Sequence, residues 1–238
     1  MAKRRKGRLG RLLRIAGLAL VAWAAVTVLS VVALRWIDPP FTAFMVADRI
    51  GALFTRPPGY EFAYEWRDLE HISRYAAIAV VAAEDQKFPE HRGFDFKQID
   101  KALADRERGR RVRGASTISQ QVAKNLFLWP NRTWVRKGLE AYFTVLIEHL
   151  WSKRRILEVY LNVAEFGRGV FGVGAASEVF FDKPAARLTP GECARLAAVL
   201  PNPMRLHADR PSAYVLEREG WILGQMERLG GLAYLRGM

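Results

Sequence analysis

The sequence predicts a mainly α-helical protein preceded by one transmembrane helix, and three observations carry this prediction. An uncharged run of 20 residues follows a basic N-terminus. Beyond it, apolar residues recur at helical spacing through most of the chain, while the alternating pattern of strands is scarce. Half of the 238 residues are apolar, which is too high a share for a disordered chain and too low for a transporter with many spans.

The uncharged run covers residues 15–34 and is bounded by Arg14 and Arg35. A helix of that length, at a rise of about 1.5 Å per residue, spans about 30 Å, the thickness of the hydrocarbon core of a bilayer. A cleavable signal peptide is the main alternative, but its apolar region is usually shorter. We therefore expect an uncleaved transmembrane helix over residues 15–36.

The net charge of +13 is concentrated at the N-terminus. Residues 1–14 hold seven basic side chains and no acidic one, so this arm carries more than half of the excess. Basic residues beside a span usually remain in the cytoplasm. We therefore expect residues 1–14 in the cytoplasm and the chain after the span across the membrane. The charge then serves as an orientation signal, and no nucleic-acid partner is expected.

After the span, each predicted element follows from local spacing and helix-breaking residues. Residues 37–69 form a membrane-proximal segment, in which 41–54 predicts a short apolar helix. The helices predicted beyond it are 70–83, 97–108, 117–128, 133–151, 153–163, 172–180, 190–200 and 212–228. Thr189 and Ser212 are expected helix starts, with Pro190 suited to the first helical position. Short strands are expected only around 60–66 or 165–171. The lone Cys193 excludes an internal disulfide.

An acidic pair follows the unbroken apolar run AAIAVVAA and opens the motif EDQKFPEHRGFD, which begins at Glu84. Spacing alone favours the simple interpretation that both acids leave the helix into solvent. A second interpretation places Glu84 at the wall of a cleft, where partial desolvation raises its pKa and makes it a usable base. His91 in this motif is more typical of a turn or packing residue than of a catalyst.

The motif GASTISQQVAKNLFL, residues 114–128, combines a helix start with an unusual set of polar residues. Thr117 and Gln120 fit a capping box, with Ser116 or Thr117 as the N-cap. Ser116, Gln120 and Lys124 are spaced four apart, so we expect them on one helix face. A hydroxyl, an amide and an ammonium beside the free N–H groups of a helix start suit phosphate oxygens.

The motif RKGLE contains Arg136 and Glu140 four residues apart, with Lys137 between them. A surface ion pair of about 0.3–0.5 kcal/mol is the simple interpretation. Two cations facing one carboxylate would also keep Glu140 ionised, in contrast to Glu84. Enzymes that act at a glycosidic carbon usually use two carboxylates in unlike surroundings.

Together these motifs resemble the peptidoglycan glycosyltransferases, glycosyltransferase family 51. The three motifs are similar to the first three of the family, and RRILEVYLNVAEFGRGVFGVGAA is similar to the region that follows them. The match spans about residues 70–205, and the second motif, in the right order between the others, makes it specific. The sequence has no Ser-x-x-Lys and no Lys-Thr-Gly, so we expect the monofunctional form without a transpeptidase domain.

The resemblance implies an inverting glycosyltransferase that polymerises lipid II into β-1,4-linked glycan and releases undecaprenyl pyrophosphate. Glu84 is then the base that deprotonates the 4-hydroxyl of the acceptor sugar, and Phe88 shapes the cleft near it. Glu140 orients the cations or binds a divalent ion with the pyrophosphate. The other substrate-binding residues are cations for the pyrophosphate and polar residues of the donor site, namely Lys124, Arg132 and Lys137, and Ser116, Gln120 and Gln121. Assistance by Mg2+ or Mn2+ stays open, since the sequence shows no protein metal cage.

The resemblance also implies a lysozyme-like helical lobe with a smaller membrane-proximal lobe, which takes in the basic, tryptophan-bearing stretches 107–113 and 129–136. Residues 70–238 form the glycosyltransferase domain. We expect a single-pass protein of the cell inner membrane with a periplasmic catalytic domain, so that residues 41–54 hold the cleft at the lipid surface. The expected partners are lipid II, the growing glycan chain and the bilayer, with other proteins of cell-wall synthesis and division left open.

Two other functional classes remain as alternatives. A lysozyme-like hydrolase or lytic transglycosylase also uses a helical fold and a glutamate, but it does not need cations and glutamines suited to pyrophosphate. A noncatalytic anchored scaffold explains the basic arm and the helices, but it leaves the order of the glutamates and cations as coincidence.

Overall fold

The computed structural model describes residues 2–55, 59–109, 114, 116–131 and 133–237, with side chains from Gly10 onwards. The chain divides into two units, Met1–Asp38 and Pro39–Met238. The first unit contains helix α1 (Ala2–Ala33). Within it, Gly10–Ala33 has a mean hydropathy of 2.4 and is long and apolar enough to cross a membrane. The predicted N-terminal apolar helix is therefore confirmed, and its backbone becomes helical well before the uncharged run.

The second unit is mainly α-helical, as predicted. Its helices are α2 (Ala43–Thr55), α3 (Arg74–Glu84), α4 (Phe96–Glu107), α5 (Ile118–Phe127), α6 (Trp134–Leu150), α7 (Lys153–Val163), α8 (Gly172–Phe181), α9 (Pro190–Val199) and α10 (Ala213–Arg228). Short 3₁₀ helices lie at Leu69–His71, Ala185–Arg187 and Gly231–Leu235. Each helix predicted from spacing is present, and the ends differ from the prediction by a few residues at most.

Capping residues explain where three of these helices begin. Thr117 accepts a hydrogen bond from the N–H of Gln120 and closes a capping box at the start of α5. Thr189 closes a second capping box before α9, where Pro190 occupies the first turn. Ser212 caps α10 in the same way through its side-chain oxygen. Each cap satisfies an N–H group that a helix start would otherwise leave unpaired.

Three short strands form a small sheet in both regions where strands were predicted. They are β1 (Ala63–Tyr64), β2 (Glu165–Gly167) and β3 (Val170–Phe171), in the order β1-β3-β2. Strand β3 pairs in parallel with β1 and antiparallel with β2. Gly172 follows β3 with φ of +81°, and a Cβ atom there would lie 2.6 Å from the carbonyl oxygen of Asn162, so only glycine fits.

Helix α3 lies at the centre of the hydrophobic core. Its residues from Ala76 to Ala82 are all buried, and the helix packs against α9 and α10. Burial on all sides explains the unbroken apolar run, since a helix with one face in water would alternate polar and apolar residues. Helix α5 packs against α6, α7 and α2. The last residue of α3, Glu84, is thereby brought to the first turns of α5.

Candidate active site

Glu84 lies at the end of the buried helix α3, and its side chain is 17% exposed. The side-chain amide of Gln121, on α5, donates a hydrogen bond of 2.9 Å to Oε2 of this carboxylate. On the other side, Nη2 of Arg218 on α10 lies 3.8 Å from Oε1. Helices α5 and α10, which are far apart in the sequence, therefore each place one polar side chain beside one oxygen of Glu84.

The environment of Glu84 raises its pKa above the usual value for a glutamate. Burial is the largest cause, because it disfavours the charged form, and the negative charge of Asp85 adds to it. The hydrogen bond from Gln121 and the cations of Arg218 and Lys124 act in the opposite direction. The interpretation that both acids leave the helix into solvent is therefore wrong. A raised pKa at the wall of a pocket is the property that the second interpretation predicted.

Tyr160 fixes the direction in which Gln121 points. This tyrosine, on α7, is fully buried, and its hydroxyl donates to Oε1 of Gln121 at 3.4 Å. Burial raises the pKa of Tyr160 well above its usual value, with the charges of Glu84 and Asp85 adding to the effect, so the phenol stays protonated. Because a protonated phenol donates to the amide oxygen, the amide nitrogen is turned towards Glu84.

Asp85 is a structural partner of the site. It is 5% exposed, and its Oδ2 accepts the N–H of Ile118 at 3.0 Å, at the start of α5. Nε2 of His91 lies 2.9 Å from Oδ1 of Asp85, while Nδ1 of His91 accepts the N–H of Gly93. An accepting Nδ1 carries no proton, so His91 donates through Nε2 to Asp85. This geometry agrees with the interpretation of His91 as a turn residue.

The start of α5 differs from the predicted arrangement of polar residues. The helix begins at Ile118 with Thr117 as its N-cap, so Ser116 lies outside it. The prediction that Ser116, Gln120 and Lys124 share one helix face is therefore wrong for Ser116. Ser116 instead lines a small open pocket together with Glu84, and the other residues around this pocket are Asp85, Asp95, Gln98, Gly114 and Thr117.

Gln120 has a structural task in this arrangement. It is 5% exposed, and its Oε1 accepts the backbone N–H of Thr117 at 3.0 Å as part of the capping box. Gln120 is also absent from the residues that line the pocket beside Glu84. Of the two adjacent glutamines, Gln121 is the one that reaches the candidate base.

Lys124 interacts electrostatically with two carboxylates, Glu84 and Glu165, whose pKa values are both raised. Its ammonium lies 5.1 Å from the ring centroid of Phe44, on α2, and its charge lowers the pKa of both Glu84 and Glu165. Burial, together with the charge of Asp48, nevertheless raises the pKa of Glu165 to about 7. Lys124 is therefore the cation that links the neighbourhood of Glu84 to strand β2.

Glu140 is held by two cations in a nearly buried cluster on α6. Nη1 of Arg136 lies 2.6 Å from its Oε2, and Nζ of Lys137 donates to its Oε1. The side chains of Arg136 and Glu140 are 9% and 4% exposed, whereas Lys137 is 43% exposed. The interpretation as a surface ion pair is therefore wrong for Arg136 and Glu140. Lys137 retains an accessible charge that Glu140 holds in place.

The other two residues predicted for the site lie elsewhere. Phe88 is fully buried and packs edge-on against the ring of His91, with the ammonium of Lys153 4.5 Å from its centroid. Phe88 therefore supports the turn after Glu84 from inside the core and does not form the wall of the cleft. Arg132 lies outside the described residues, as do residues 110–113 of the predicted basic stretch.

Sequence reasoning missed Tyr160, Glu165 and Arg218. Arg218 could have been found from the sequence, because its spacing places it on the same face of α10 as the buried residues Val215 and Ile222. A lone cation at such a position is exceptional for an amphipathic helix. Tyr160 gave no comparable signal, since an aromatic residue on a buried helix face is ordinary.

The described side chains do not supply a cage for a divalent cation. Both oxygens of Glu140 are occupied by Arg136 and Lys137, and no group of three His, Cys, Asp or Glu side chains within the described ranges could hold a metal ion. The alternative in which Glu140 orients the cations therefore fits the geometry better than metal ligation.

Comparison with known proteins identifies a family for this chain. The chain matches the family described as "Transglycosylase" over residues 51–227. It is 56% identical over 214 residues to the biosynthetic peptidoglycan transglycosylase of Xanthomonas campestris pv. campestris (strain B100), covering 90% of this chain and 87% of the relative. It is 52% identical over 235 residues to the protein of the same name from Cronobacter sakazakii (strain ATCC BAA-894), covering 99% and 98% of the two chains.

A third relative extends the comparison to another genus. The biosynthetic peptidoglycan transglycosylase of Pseudomonas entomophila (strain L48) is 53% identical over 227 residues, which covers 95% of this chain and 96% of the relative. The matched region contains all of the candidate site, from Glu84 at the end of α3 to Arg218 on α10. The chain therefore belongs to the transglycosylase family, and the resemblance drawn from its motifs is confirmed.

Proposed function

We propose that this peptidoglycan glycosyltransferase of cell-wall biosynthesis polymerises lipid II into β-1,4-linked glycan strands and releases undecaprenyl pyrophosphate. The observation that carries the proposal is Glu84, a carboxylate of raised pKa that lines a pocket with Ser116. The hydrogen bond from Gln121 orients this carboxylate. A base whose pKa is raised towards neutrality accepts a proton more effectively than an ordinary exposed glutamate.

In the proposed reaction, Glu84 takes the proton from the 4-hydroxyl of the acceptor sugar. The freed electron pair of that oxygen attacks the anomeric carbon of the growing chain from the face opposite the pyrophosphate. As the new C–O bond forms, the bond to the pyrophosphate oxygen breaks and its electron pair leaves with the pyrophosphate, so the configuration inverts. Pyrophosphate is a good leaving group, and the reaction therefore needs no strong general acid.

The cations of the site would stabilise the charge that develops on the leaving pyrophosphate. Lys124 on α5 and the exposed ammonium of Lys137 on α6 are the described candidates, with Arg132 as a further one from the sequence. Glu140 would hold Lys137 in position through their ion pair. Ser116 would contact the substrate from the pocket. The predicted use of free N–H groups at the start of α5 is wrong for Ile118 and Gln120, because Asp85 and the capping box already accept these groups.

The test is to incubate the purified full chain with lipid II in detergent and to follow glycan polymer and undecaprenyl pyrophosphate. We expect both products to appear together, because each transfer releases one pyrophosphate. Cleavage of finished peptidoglycan without any polymer would instead move the protein to the hydrolase class. Release of pyrophosphate without polymer would mean that water, rather than a sugar hydroxyl, is the acceptor.

We assign the chain to the inner membrane with a single span and a periplasmic catalytic domain. Support comes from the apolar Gly10–Ala33 stretch and from the seven basic residues within residues 1–14, which favour a cytoplasmic N-terminus. The proposed organisation is an arm at 1–14, a span at 15–36, a membrane-proximal segment at 37–69 and the glycosyltransferase domain at 70–238.

Helix α2 offers an apolar face suited to the bilayer that carries the substrate. Val46, Ile50, Leu53 and Phe54 share one side of the helix and are exposed, the last two at 73% and 84%. Met45, on the opposite side, is fully buried. An amphipathic helix of this kind lies in the interface of a membrane with its apolar side in the acyl region. It would hold the cleft near the lipid-linked substrate.

Replacing both Leu53 and Phe54 by Ser is expected to lower polymerisation of lipid II in liposomes about tenfold. Lost burial of two large apolar side chains is worth more than the roughly 1.4 kcal/mol that a tenfold change requires. Polymerisation of a water-soluble short-chain lipid II analogue should not change. Val179→Ser on α8, also an exposed apolar position, serves as the control. An equal loss on both substrates would show that the α2 face does not act through the membrane.

A further inference from the structure

We propose that Arg218 is a positioning residue that holds Glu84 ionised at the pocket, an inference that rests on the function proposed above. Helix α10 carries Arg218 to within 3.8 Å of Oε1 of Glu84. This separation is too long for a hydrogen bond but short enough for a strong interaction between charges. Oε2 accepts the hydrogen bond from Gln121. We therefore assign Oε1, which lies beside the guanidinium of Arg218, to the substrate hydroxyl.

The charged groups facing Glu84 give Arg218 a specific task. Asp85, on the adjoining turn, opposes ionisation of Glu84, while Arg218 from α10 and Lys124 from α5 favour it. Tyr160 from α7 is neutral because its own pKa is raised. Lys124 also lowers the pKa of Glu165 and is one of the candidate cations for the pyrophosphate. Burial and the charge of Asp85 raise the pKa of Glu84. Without Arg218, only the hydrogen bond from Gln121 and the charge of Lys124 would lower it.

The guanidinium of Arg218 is not held by a complete set of hydrogen bonds. Its Nε atom is buried and has no hydrogen-bond partner within the described part of the chain, and the same holds for Nε of Arg136 and for no other buried side-chain atom there. A buried donor without a partner lowers the stability of the folded protein. Arg136 pairs with the carboxylate of Glu140 through Nη1, and Arg218 likewise places its guanidinium beside the carboxylate of Glu84. In both arginines the nearby carboxylate is therefore the feature that accounts for a buried guanidinium with an unpaired Nε.

The position of Arg218 is fixed by its neighbours on α10. The next residue, Glu219, accepts a hydrogen bond of 2.7 Å from Nε of Arg195 on α9. The guanidinium carbon of Arg218 lies 6.0 Å from the ring centroid of Trp221. Gln225, farther along α10, accepts a hydrogen bond from Gln86, in the turn that follows Glu84. The helix that bears the cation is therefore tied to the same turn as the carboxylate.

The test is the pH dependence of kcat/KM for polymerisation of lipid II by the full chain. Four proteins are compared, the native one, Arg218→Gln, Arg218→Lys and Arg228→Gln, the last removing an exposed cation from the same helix. Since the reaction needs ionised Glu84, activity rises with pH through its pKa. Losing the cation raises that pKa, so the acid limb of Arg218→Gln should move up by about one pH unit. Arg218→Lys and Arg228→Gln should keep the native acid limb.

A uniform loss of activity in Arg218→Gln at every pH, with the acid limb in its native position, would overturn the inference. If circular dichroism shows that Arg218→Gln does not fold, Arg218→Met, which keeps an apolar stem beside Trp221, is measured in its place with the same expected shift. A native protein that makes no polymer, or an active Glu84→Gln, contradicts the proposed function instead. An inactive Glu84→Gln with an unmoved acid limb in the Arg218 variant contradicts only the role of Arg218.

Discussion

Glu84→Gln is expected to reduce polymerisation of lipid II by a hundredfold to ten-thousandfold, the range over which a positioned general base contributes to a rate. Glutamine keeps the shape of the side chain, and its amide oxygen can still accept the hydrogen bond from Gln121. It cannot accept the proton of the acceptor hydroxyl. The measurement is the initial rate of glycan formation with the full chain in detergent.

The same substitution should not reduce the thermal stability of the protein. The raised pKa of Glu84 reports a cost of burying its negative charge. A neutral amide avoids that cost, so the melting temperature of Glu84→Gln should equal or exceed the native value. Glu217→Gln, at an exposed position of α10, is the matched control and should keep native activity. Native rates in Glu84→Gln would exclude Glu84 as the base.

Glu140→Ala is expected to destabilise the protein by about 3–5 kcal/mol, the usual cost of removing one partner from a buried ion pair. Arg136 would be left with its charge nearly buried and without the carboxylate that lies 2.6 Å from it. The free energy of unfolding in denaturant measures the effect. Glu70→Ala, which removes the partner of the exposed Arg154, should cost less than about 1 kcal/mol.

A double variant separates the structural role of Glu140 from its role in the reaction. Replacing Arg136 by Met and Glu140 by Leu removes both members of the buried pair, so most of the lost stability should return. If Glu140 also holds Lys137 for the pyrophosphate, the stable double variant should remain well below the native rate. A stable double variant with the native rate would limit Glu140 to a role in folding.

The helices could be predicted because their signals are local. Thr117 and Thr189 mark helix starts because each forms a capping box with the residue three positions later. The spacing of apolar residues in each segment indicates which face is buried. Burial of α3 on all sides follows from its lack of polar residues between Ala76 and Ala82. Errors occurred where a residue stood just outside an element, as with Ser116 before α5. A repeat of four residues cannot by itself show where the helix begins.

The site was only partly predictable for a related reason. The motifs contained Glu84, Gln121, Lys124 and Glu140, because these residues lie within short stretches of distinctive composition. Whether Phe88 lines the cleft or lies in the core depends on how its turn packs, and this packing buries the ring fully. Spacing could not distinguish a carboxylate in solvent from one at a pocket wall.

The helical class, the N-terminal apolar helix, the order of the motifs and the membership of the family can all be read from the sequence. Each of these depends on neighbouring residues or on similarity along the chain. The tertiary structure decided which side chains meet Glu84, because α3, α5, α7 and α10 converge only when their apolar faces pack together. That packing brings Tyr160 behind Gln121 and Arg218 beside Glu84. Burial, which raises the pKa of the candidate base, arises only in the assembled core.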